Sequence, residues 1–169
     1  MTSHSSSQAL ARFLADPAHG GVYRLTASRA EGFIEADGLD WHCLSVPHRW
    51  TRETLLDALA VSLAFPDYFG RNWDAAWDCL TELGWEAGRA QVILLPAAPA
   101  DDTAMAIFLD LMREACDHWA VRGKTLAVLL VEEGSDARAE AEHISADSEV
   151  PAWLTALPHL PEVGLGEGD

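Results

Sequence analysis

Residues 65–81 read FPDYFGRNWDAAWDCLT and contain the strongest local pattern in the chain. A turn carrying Pro66 and Gly70 leads into a helix that we predict to begin near Asn72, because asparagine is a favoured N-cap. At about 100° per residue this helix has two sides. The apolar side holds Trp73, Ala76, Trp77, Leu80 and Leu83, and the opposite side holds Asp74, Asp78 and Glu82. The pattern predicts an amphipathic helix whose carboxylates face outward.

Apolar segments of strand length alternate with helical patterns on both sides of this stretch. The predicted strands are 22–25, 41–46, 91–95 and 126–131, and the predicted helices are 28–36, 51–64, 72–83 and 103–119. In the last helix the predicted core stripe is Ile107, Phe108, Leu111, Met112, Ala115 and Trp119. Strands that are apolar throughout and separated by helices indicate a parallel sheet covered on both faces. We therefore predict an α/β fold.

The chain divides into three predicted parts. Residues 1–19 form a flexible or short-helical segment, residues 20–133 the folded domain, and residues 134–169 an acidic, partly disordered extension whose apolar residues 150–157 are expected to dock on the body. No apolar run approaches the roughly 20 residues of a membrane span. Residues 1–8 lack the basic and apolar regions of a secretory signal, so we expect a cytoplasmic protein without membrane association.

Net charge is −16 and is unevenly distributed. Residues 53–117 and residues 132–169 each carry net −9, whereas residues 1–52 are neutral. Nucleic-acid binding needs a basic footprint, so direct binding to DNA or RNA is disfavoured. An acidic patch instead attracts basic partners and speeds their association. In the middle of the chain the acids lie opposite an ordered apolar stripe, which favours an interaction surface there.

The three cysteines, Cys43, Cys79 and Cys116, lie far apart in apolar segments and have no metal-ligand spacing. They are predicted to be buried thiols in a reducing compartment. The seven histidines show no metal-binding or catalytic spacing. We expect no metal and no cofactor.

Asp74 and Asp78 are spaced i, i+4, so they repel each other by a few tenths of a kcal/mol on an exposed helix. Stability alone would not choose this pair, but a basic partner would turn the repulsion into complementarity. A solvated helix face, a carboxylate pair for acid–base work and a cation site that includes Glu82 are the alternatives. Gly70 is expected to supply positive φ in the turn or close approach of a partner. Tyr68 and Trp85, in predicted loops, are surface candidates.

The stretch 65–81 resembles the signature of the barstar family, the bacterial intracellular ribonuclease inhibitors. The shared pattern is an apolar residue and Pro, an acid, two aromatics, Gly, any residue, Asn, then Asp and Trp-Asp ahead of Cys-Leu-Thr. The order of elements agrees over residues 40–131. The resemblance implies a small parallel sheet packed by helices. It does not cover residues 1–39 or 132–169, and we expect residues 1–39 to add an N-terminal strand and helix to the sheet.

In that family the acidic helix and the turn before it plug the active site of a basic ribonuclease such as barnase, with carboxylates in the places of RNA phosphates. By motif position, Asp78 matches the central inhibitory aspartate, Asp74 the second one, and Tyr68 the tyrosine that stacks on the enzyme. With the loop residue Trp85 added, the expected partner-binding residues are Tyr68, Gly70, Asn72, Asp74, Trp77, Asp78, Thr81, Trp85 and Glu114. The resemblance implies a monomeric, non-enzymatic ribonuclease inhibitor whose partner is a basic ribonuclease.

Two residues depart from the family pattern. Arg71 stands where the family can carry an acid, and His118 stands one turn after Glu114, where a further glutamate can occur. These departures predict a different ribonuclease or another basic target. A non-inhibitory acidic adaptor that binds a basic protein through the same face is the alternative function, and an α/β enzyme using a carboxylate pair or a thiol is a third.

Overall fold

The computed structural model describes residues 12–27, 30, 39–45, 48–66, 70–82, 90–132, 152–155 and 157–160. Within these residues the strands are β1 (Gly21–Thr26), β2 (Leu39–Cys43), β3 (Ala90–Pro96) and β4 (Leu126–Glu132). The α-helices are α1 (Arg52–Ser62), α2 (Trp73–Leu80), α3 (Asp102–Ala120) and α4 (Ala152–Thr155), and a 3-10 turn spans Pro17–His19.

The four strands form one parallel sheet in the order β1-β4-β3-β2. Strands β3 and β4 lie at the centre, and most of their residues are buried whichever way the side chain points. This is the burial expected of a parallel sheet with both faces covered. The predicted α/β fold with a small parallel sheet is confirmed.

Successive residues of the central strands enter two separate cores because side chains alternate across a sheet. Ile93 and Val128 belong to the core that packs under α1, α2 and α3, which we call the helix-side core. Val92 and Leu129 belong to the core on the opposite face, which we call the far-side core. The helix-side core contains the buried residues of all three helices, so it fixes the position of α2 relative to the sheet.

The predicted additional N-terminal strand is confirmed. Strand β1 pairs in parallel with β4, from Gly21 opposite Ala127 to Thr26 opposite Glu132. The helix predicted at residues 28–36 falls almost entirely outside the described residues.

The predicted docking of the C-terminal segment is confirmed for the residues that the structure describes. Leu154 and Leu157 are buried in the helix-side core, and Leu160 is buried in the far-side core. At the other end of the chain Leu14 is also fully buried in the far-side core. The packed body therefore includes residues on both sides of the segment 20–133, and the division into three parts stays a prediction.

Arg24 of β1 holds the C-terminal segment against the sheet. Its backbone N–H donates to the Pro158 carbonyl at 2.9 Å, and its carbonyl accepts from the Leu160 N–H at 2.9 Å. Its guanidinium donates to both carboxylate oxygens of Glu132, at 2.8 and 3.1 Å, and to the Leu154 carbonyl at 3.1 Å. One residue thus joins β1, β4 and the segment that follows them.

Several predicted boundaries shift by a few residues. Strand β2 occupies 39–43 rather than 41–46, and α2 ends at Leu80 rather than Leu83. Helix α2 ends early because the Thr81 side chain caps its last turn. Leu83 itself lies outside the described residues.

The core stripe predicted for α3 is wrong at Ile107, whose side chain is 41% exposed. The buried residues of α3 are Ala104, Met105, Phe108, Leu109, Met112, Ala115, Cys116 and Trp119. At about 100° per residue Ile107 lies about 140° around the helix from Met112, the centre of this buried arc. Leu111, at the edge of the arc, is half-buried.

Phe108 and Ile107 therefore provide a matched pair for testing the packing. We expect Phe108→Ala to lower the free energy of unfolding by about 3–5 kcal/mol, because a fully buried ring leaves a cavity. Ile107→Ala should cost less than about 1 kcal/mol, since much of that side chain is already in water. Urea denaturation measures both, and equal losses would contradict this orientation of α3.

Candidate functional site: the acidic face of helix α2

Asn72 caps the N-terminus of α2, as predicted. Its side-chain oxygen accepts from the Ala75 N–H at 2.7 Å, and its Nδ2 donates to the Gly70 carbonyl at 3.3 Å. Asn72 therefore uses both of its polar side-chain atoms within the turn. The cap sets where the helix begins and, with it, where the first carboxylate of the helix stands.

Among the described residues of this turn Arg71 has a positive φ and Gly70 does not, so the positive φ predicted for Gly70 is wrong, and its alternative role in close approach of a partner stays a prediction. Arg71 has φ 53°, whereas Gly70 has no positive φ. A Cβ atom at Gly70 would lie 3.3 Å from Nδ2 of Asn72 and 3.5 Å from Cβ of Ala75. The absence of a side chain at Gly70 thus leaves room for the capping amide.

The two predicted sides of α2 are confirmed for the described residues. Ala76 and Leu80 are fully buried, and Trp73 and Trp77 are half-buried against the helix-side core. The acidic side is exposed and consists of Asp74, Asp78 and Glu82, which we call the acidic arc. The arc is therefore backed by a packed apolar layer.

The C-terminal end of α2 is fixed by hydrogen bonds from two side chains. Within the helix, the Thr81 hydroxyl donates to the carbonyls of Trp77 and Asp78, at 2.9 and 3.1 Å. From α3, the buried Trp119 indole N–H donates to the Leu80 carbonyl at 2.9 Å. The Trp77 carbonyl also accepts from the Thr81 backbone N–H at 3.0 Å. The bonds to Asp78 and Leu80 satisfy carbonyls that a helix end leaves without an internal donor.

His118 lies where α3 meets α2. Its ring makes edge-to-face contacts with Trp77, at a centroid distance of 5.7 Å, and with Trp119, at 5.0 Å. Partial burial, together with the nearby Arg122 guanidinium, lowers the pKa of His118 and favours the neutral ring at pH 7. Glu114 lies one turn earlier on the same side of α3 and is exposed. Residues spaced i, i+4 are neighbours on a helix, so Glu114 stands on the side of α3 that borders α2.

The described cations in the acidic middle of the chain are paired with carboxylates outside the acidic arc. The Arg71 guanidinium contacts the Asp57 carboxylate on α1, and Arg113 pairs with Asp110 at 3.0 Å on α3. Among the described residues, Asp74, Asp78, Glu82 and Glu114 have no ion-pair partner. The negative field of this face is therefore not cancelled by Arg71, although Arg71 directly precedes the helix cap.

Sequence reasoning placed most of these residues but missed Asp57. Its pairing with Arg71 joins α1 to the turn before α2, across fourteen residues of chain, and no local pattern indicates it. The predicted site residues Tyr68 and Trp85 lie outside the described residues. The assignment of the remaining predicted residues to partner binding stays a prediction.

The cysteines were predicted to be buried, and this is confirmed for Cys116 only. Cys43, the last residue of the edge strand β2, is exposed, and Cys79 on α2 is half-buried. Burial, with a contribution from Asp117, raises the pKa of Cys116 to about 12. Burial, with Glu82 and Asp78, also raises the pKa of Cys79. Because the thiolate is the nucleophilic form, neither environment favours thiol catalysis.

Side-chain clusters and helix composition in the described parts of the chain bear on metal binding and membrane insertion. No group of three or more His, Cys, Asp or Glu there is arranged to hold a metal ion. Likewise, none of the described helices has the length and apolar character needed to cross a bilayer.

Comparison with known proteins gives one family match and one curated relative. The family model described as Barstar (barnase inhibitor) matches residues 40–131, a little more than half of the chain. The match runs from β2 to β4, so it contains α2 and α3 and leaves out β1 and α4. These are the same residues over which the order of elements was predicted to agree.

The curated relative is a Bacillus subtilis (strain 168) protein named "Putative ribonuclease inhibitor YrdF". It is 49% identical over 52 residues, which are 31% of this chain and 46% of that protein. The matched segment thus spans about half the length of that relative.

The three thiols should react with iodoacetamide in order of exposure and thiolate content. At mildly alkaline pH we expect Cys43 to be labelled first and Cys79 more slowly, because its raised pKa keeps the thiol protonated. Cys116 should be labelled only on unfolding. Mass spectrometry of proteolytic digests measures the order of labelling. As a control, labelling in concentrated guanidinium chloride should abolish the differences between the three thiols. Rapid labelling of Cys116 in the native protein would contradict the packing.

Trp119→Phe should loosen α2. The change leaves the buried Leu80 carbonyl without its donor, at a cost of about 1–3 kcal/mol. Amide hydrogen exchange should accelerate more in α2 than in β3. Trp153→Phe is the matched control, because the Trp153 indole N–H is buried and has no hydrogen-bond partner among the described residues. An equal acceleration in both variants would show that the bond does not hold α2.

Proposed function

The chain belongs to the barstar family, as its sequence resemblance indicated, and on this premise we propose that it is an intracellular inhibitor of a cognate basic ribonuclease. The relative named as a ribonuclease inhibitor supports the same class of function. The observation that carries the proposal is the acidic arc, whose carboxylates are exposed and lack ion-pair partners among the described residues.

Inhibition follows from occupancy of the nuclease active site. A ribonuclease cleft binds RNA phosphates with Arg, Lys and His side chains, and the carboxylates of Asp74 and Asp78 offer these cations the same kind of acceptor. Binding through charge-assisted hydrogen bonds involves no covalent step, so the inhibitor is not chemically changed. It inhibits the enzyme because it occupies the cleft and sterically excludes RNA. The acidic surface also steers the basic enzyme toward the arc and raises the association rate.

The rigidity of α2 contributes to affinity. Association costs free energy for every segment that must be ordered, so a face that is already ordered loses less. Asn72 orders the start of α2, Thr81 orders its end, and Trp77 packs on the core. We assign these three residues to shaping the face, and we assign direct contact with the enzyme to Asp74 and Asp78.

Glu114 extends the proposed contact from α2 to α3. It is exposed beside the arc and has no ion-pair partner among the residues described. Tyr68, Gly70 and Trp85 complete the proposed surface, with Gly70 allowing close approach of the enzyme to the turn.

Asp78→Ala is the decisive substitution. With barnase as the probe, which is the enzyme named in the family description, we expect the dissociation constant to rise about a hundredfold or more. Truncating one partner of a desolvated charge pair costs about 2–5 kcal/mol, mostly through faster dissociation. Surface plasmon resonance and an RNA-cleavage assay measure binding and inhibition.

Asp102→Ala is the matched control, because Asp102 is an exposed aspartate in the first turn of α3, about three turns before Glu114. It should change the dissociation constant less than about threefold. Equal effects of the two substitutions would reject the site. Failure to inhibit barnase, with Asp78-dependent capture of a basic protein that has no nuclease activity, would favour the adaptor alternative.

A further inference from the structure

Arg71 is tied to helix α1 by both its side chain and its backbone. Its guanidinium contacts the Asp57 carboxylate, and its carbonyl accepts from Nη2 of Arg52 at 3.2 Å. Its backbone lies in the left-handed region at φ 53°, which residues other than glycine seldom adopt. The turn before α2 therefore presents an arginine in an unfavourable backbone conformation, with its charge directed to a neighbouring helix.

A cation is poorly placed at this point of the molecule. The N-terminus of a helix carries partial positive charge, so a guanidinium beside it is destabilising unless a carboxylate compensates. Two carboxylates are candidates, namely Asp57 on α1 and Asp74, three residues after Arg71 on α2. Pairing with Asp74 would also compensate the charge of Arg71, but it would neutralise the first carboxylate of the acidic arc.

The ion pair between Arg71 and Asp57 is weak. The side chains of Arg71 and Asp57 are 63% and 53% exposed, and exposed ion pairs contribute only about 0.2–1 kcal/mol. Loss of Asp57 would therefore be enough to release the guanidinium toward the arc.

We propose that Asp57 is a positioning residue for the acidic arc, because it holds the Arg71 guanidinium on α1 and keeps Asp74 open to a cationic partner. The role rests on the proposed function, since it matters only if a basic protein docks on the arc. In this role Asp57 acts on the binding surface through Arg71 and contacts neither the partner nor the arc.

The test is a titration of the protein with octa-arginine, followed by NMR at the backbone amides of residues 73–82. Octa-arginine reports the access of cations to the arc and requires no nuclease. Asp57→Asn should weaken binding at these amides about threefold relative to the wild type, and high ionic strength should abolish the difference.

Glu53→Gln is the matched control, because Glu53 is an exposed carboxylate one turn earlier on α1 and its removal changes net charge equally. It should weaken binding less than about 1.5-fold. Adding Arg71→Gln to Asp57→Asn should restore wild-type affinity, because the released cation is then absent. Equal effects of Asp57→Asn and Glu53→Gln, or failure of Arg71→Gln to rescue, would overturn the inference.

The same variants measured against barnase separate this inference from the proposed function. If the protein inhibits neither barnase nor another basic ribonuclease and the octa-arginine results are as expected, the proposed function fails and the role of Asp57 in exposing the arc stands. If barnase binds in an Asp78-dependent manner but Asp57→Asn equals Glu53→Gln, the proposed function stands and the role of Asp57 fails.

Discussion

The hydrogen bond from the buried Trp119 indole to the Leu80 carbonyl is the contact on which the acidic face depends. An isolated helix of eight residues is not stable in water, because nucleation costs more than so few bonds return. Helix α2 is stabilised at three points. Asn72 caps its start, its own residues Ala76 and Leu80 are buried in the core, and Trp119 of α3 donates a hydrogen bond to its last carbonyl. Carboxylates that repel one another are thereby kept side by side, which local helix energetics alone would oppose.

The fold was predictable because its strongest signals are local. Strands β3 and β4 are apolar throughout, and this pattern is typical of a parallel sheet covered on both faces. The error at Ile107 has a physical origin. Ile107 is apolar and precedes Phe108, so it was assigned to the buried stripe, but the centre of the buried arc lies on another side of α3. Apolar character marks a candidate for burial, whereas the full set of buried positions decides which way the helix faces.

The candidate site was predictable to the extent that angular periodicity determines it. Asp74 and Asp78 share a side of α2 in any regular helix, so their exposure followed from the position of the cap. The destination of the Arg71 side chain could not be read in this way, since it depends on how α1 packs beside the turn. The sequence therefore shows that a cation lies next to an acidic face. Whether that cation neutralises the face can be known only from the tertiary structure.

The pairing of β1 with β4 has a consequence for how this protein can be divided. The family match ends at residue 131 and excludes β1, so the matched segment alone would leave β4 at the edge of a three-stranded sheet. The backbone groups of β4 that now bond to β1 would be open, on a strand whose side chains from Leu126 to Leu130 are all buried. Such an edge is a template for aggregation. We therefore expect the segment that carries the family signature to aggregate more readily by itself than together with β1.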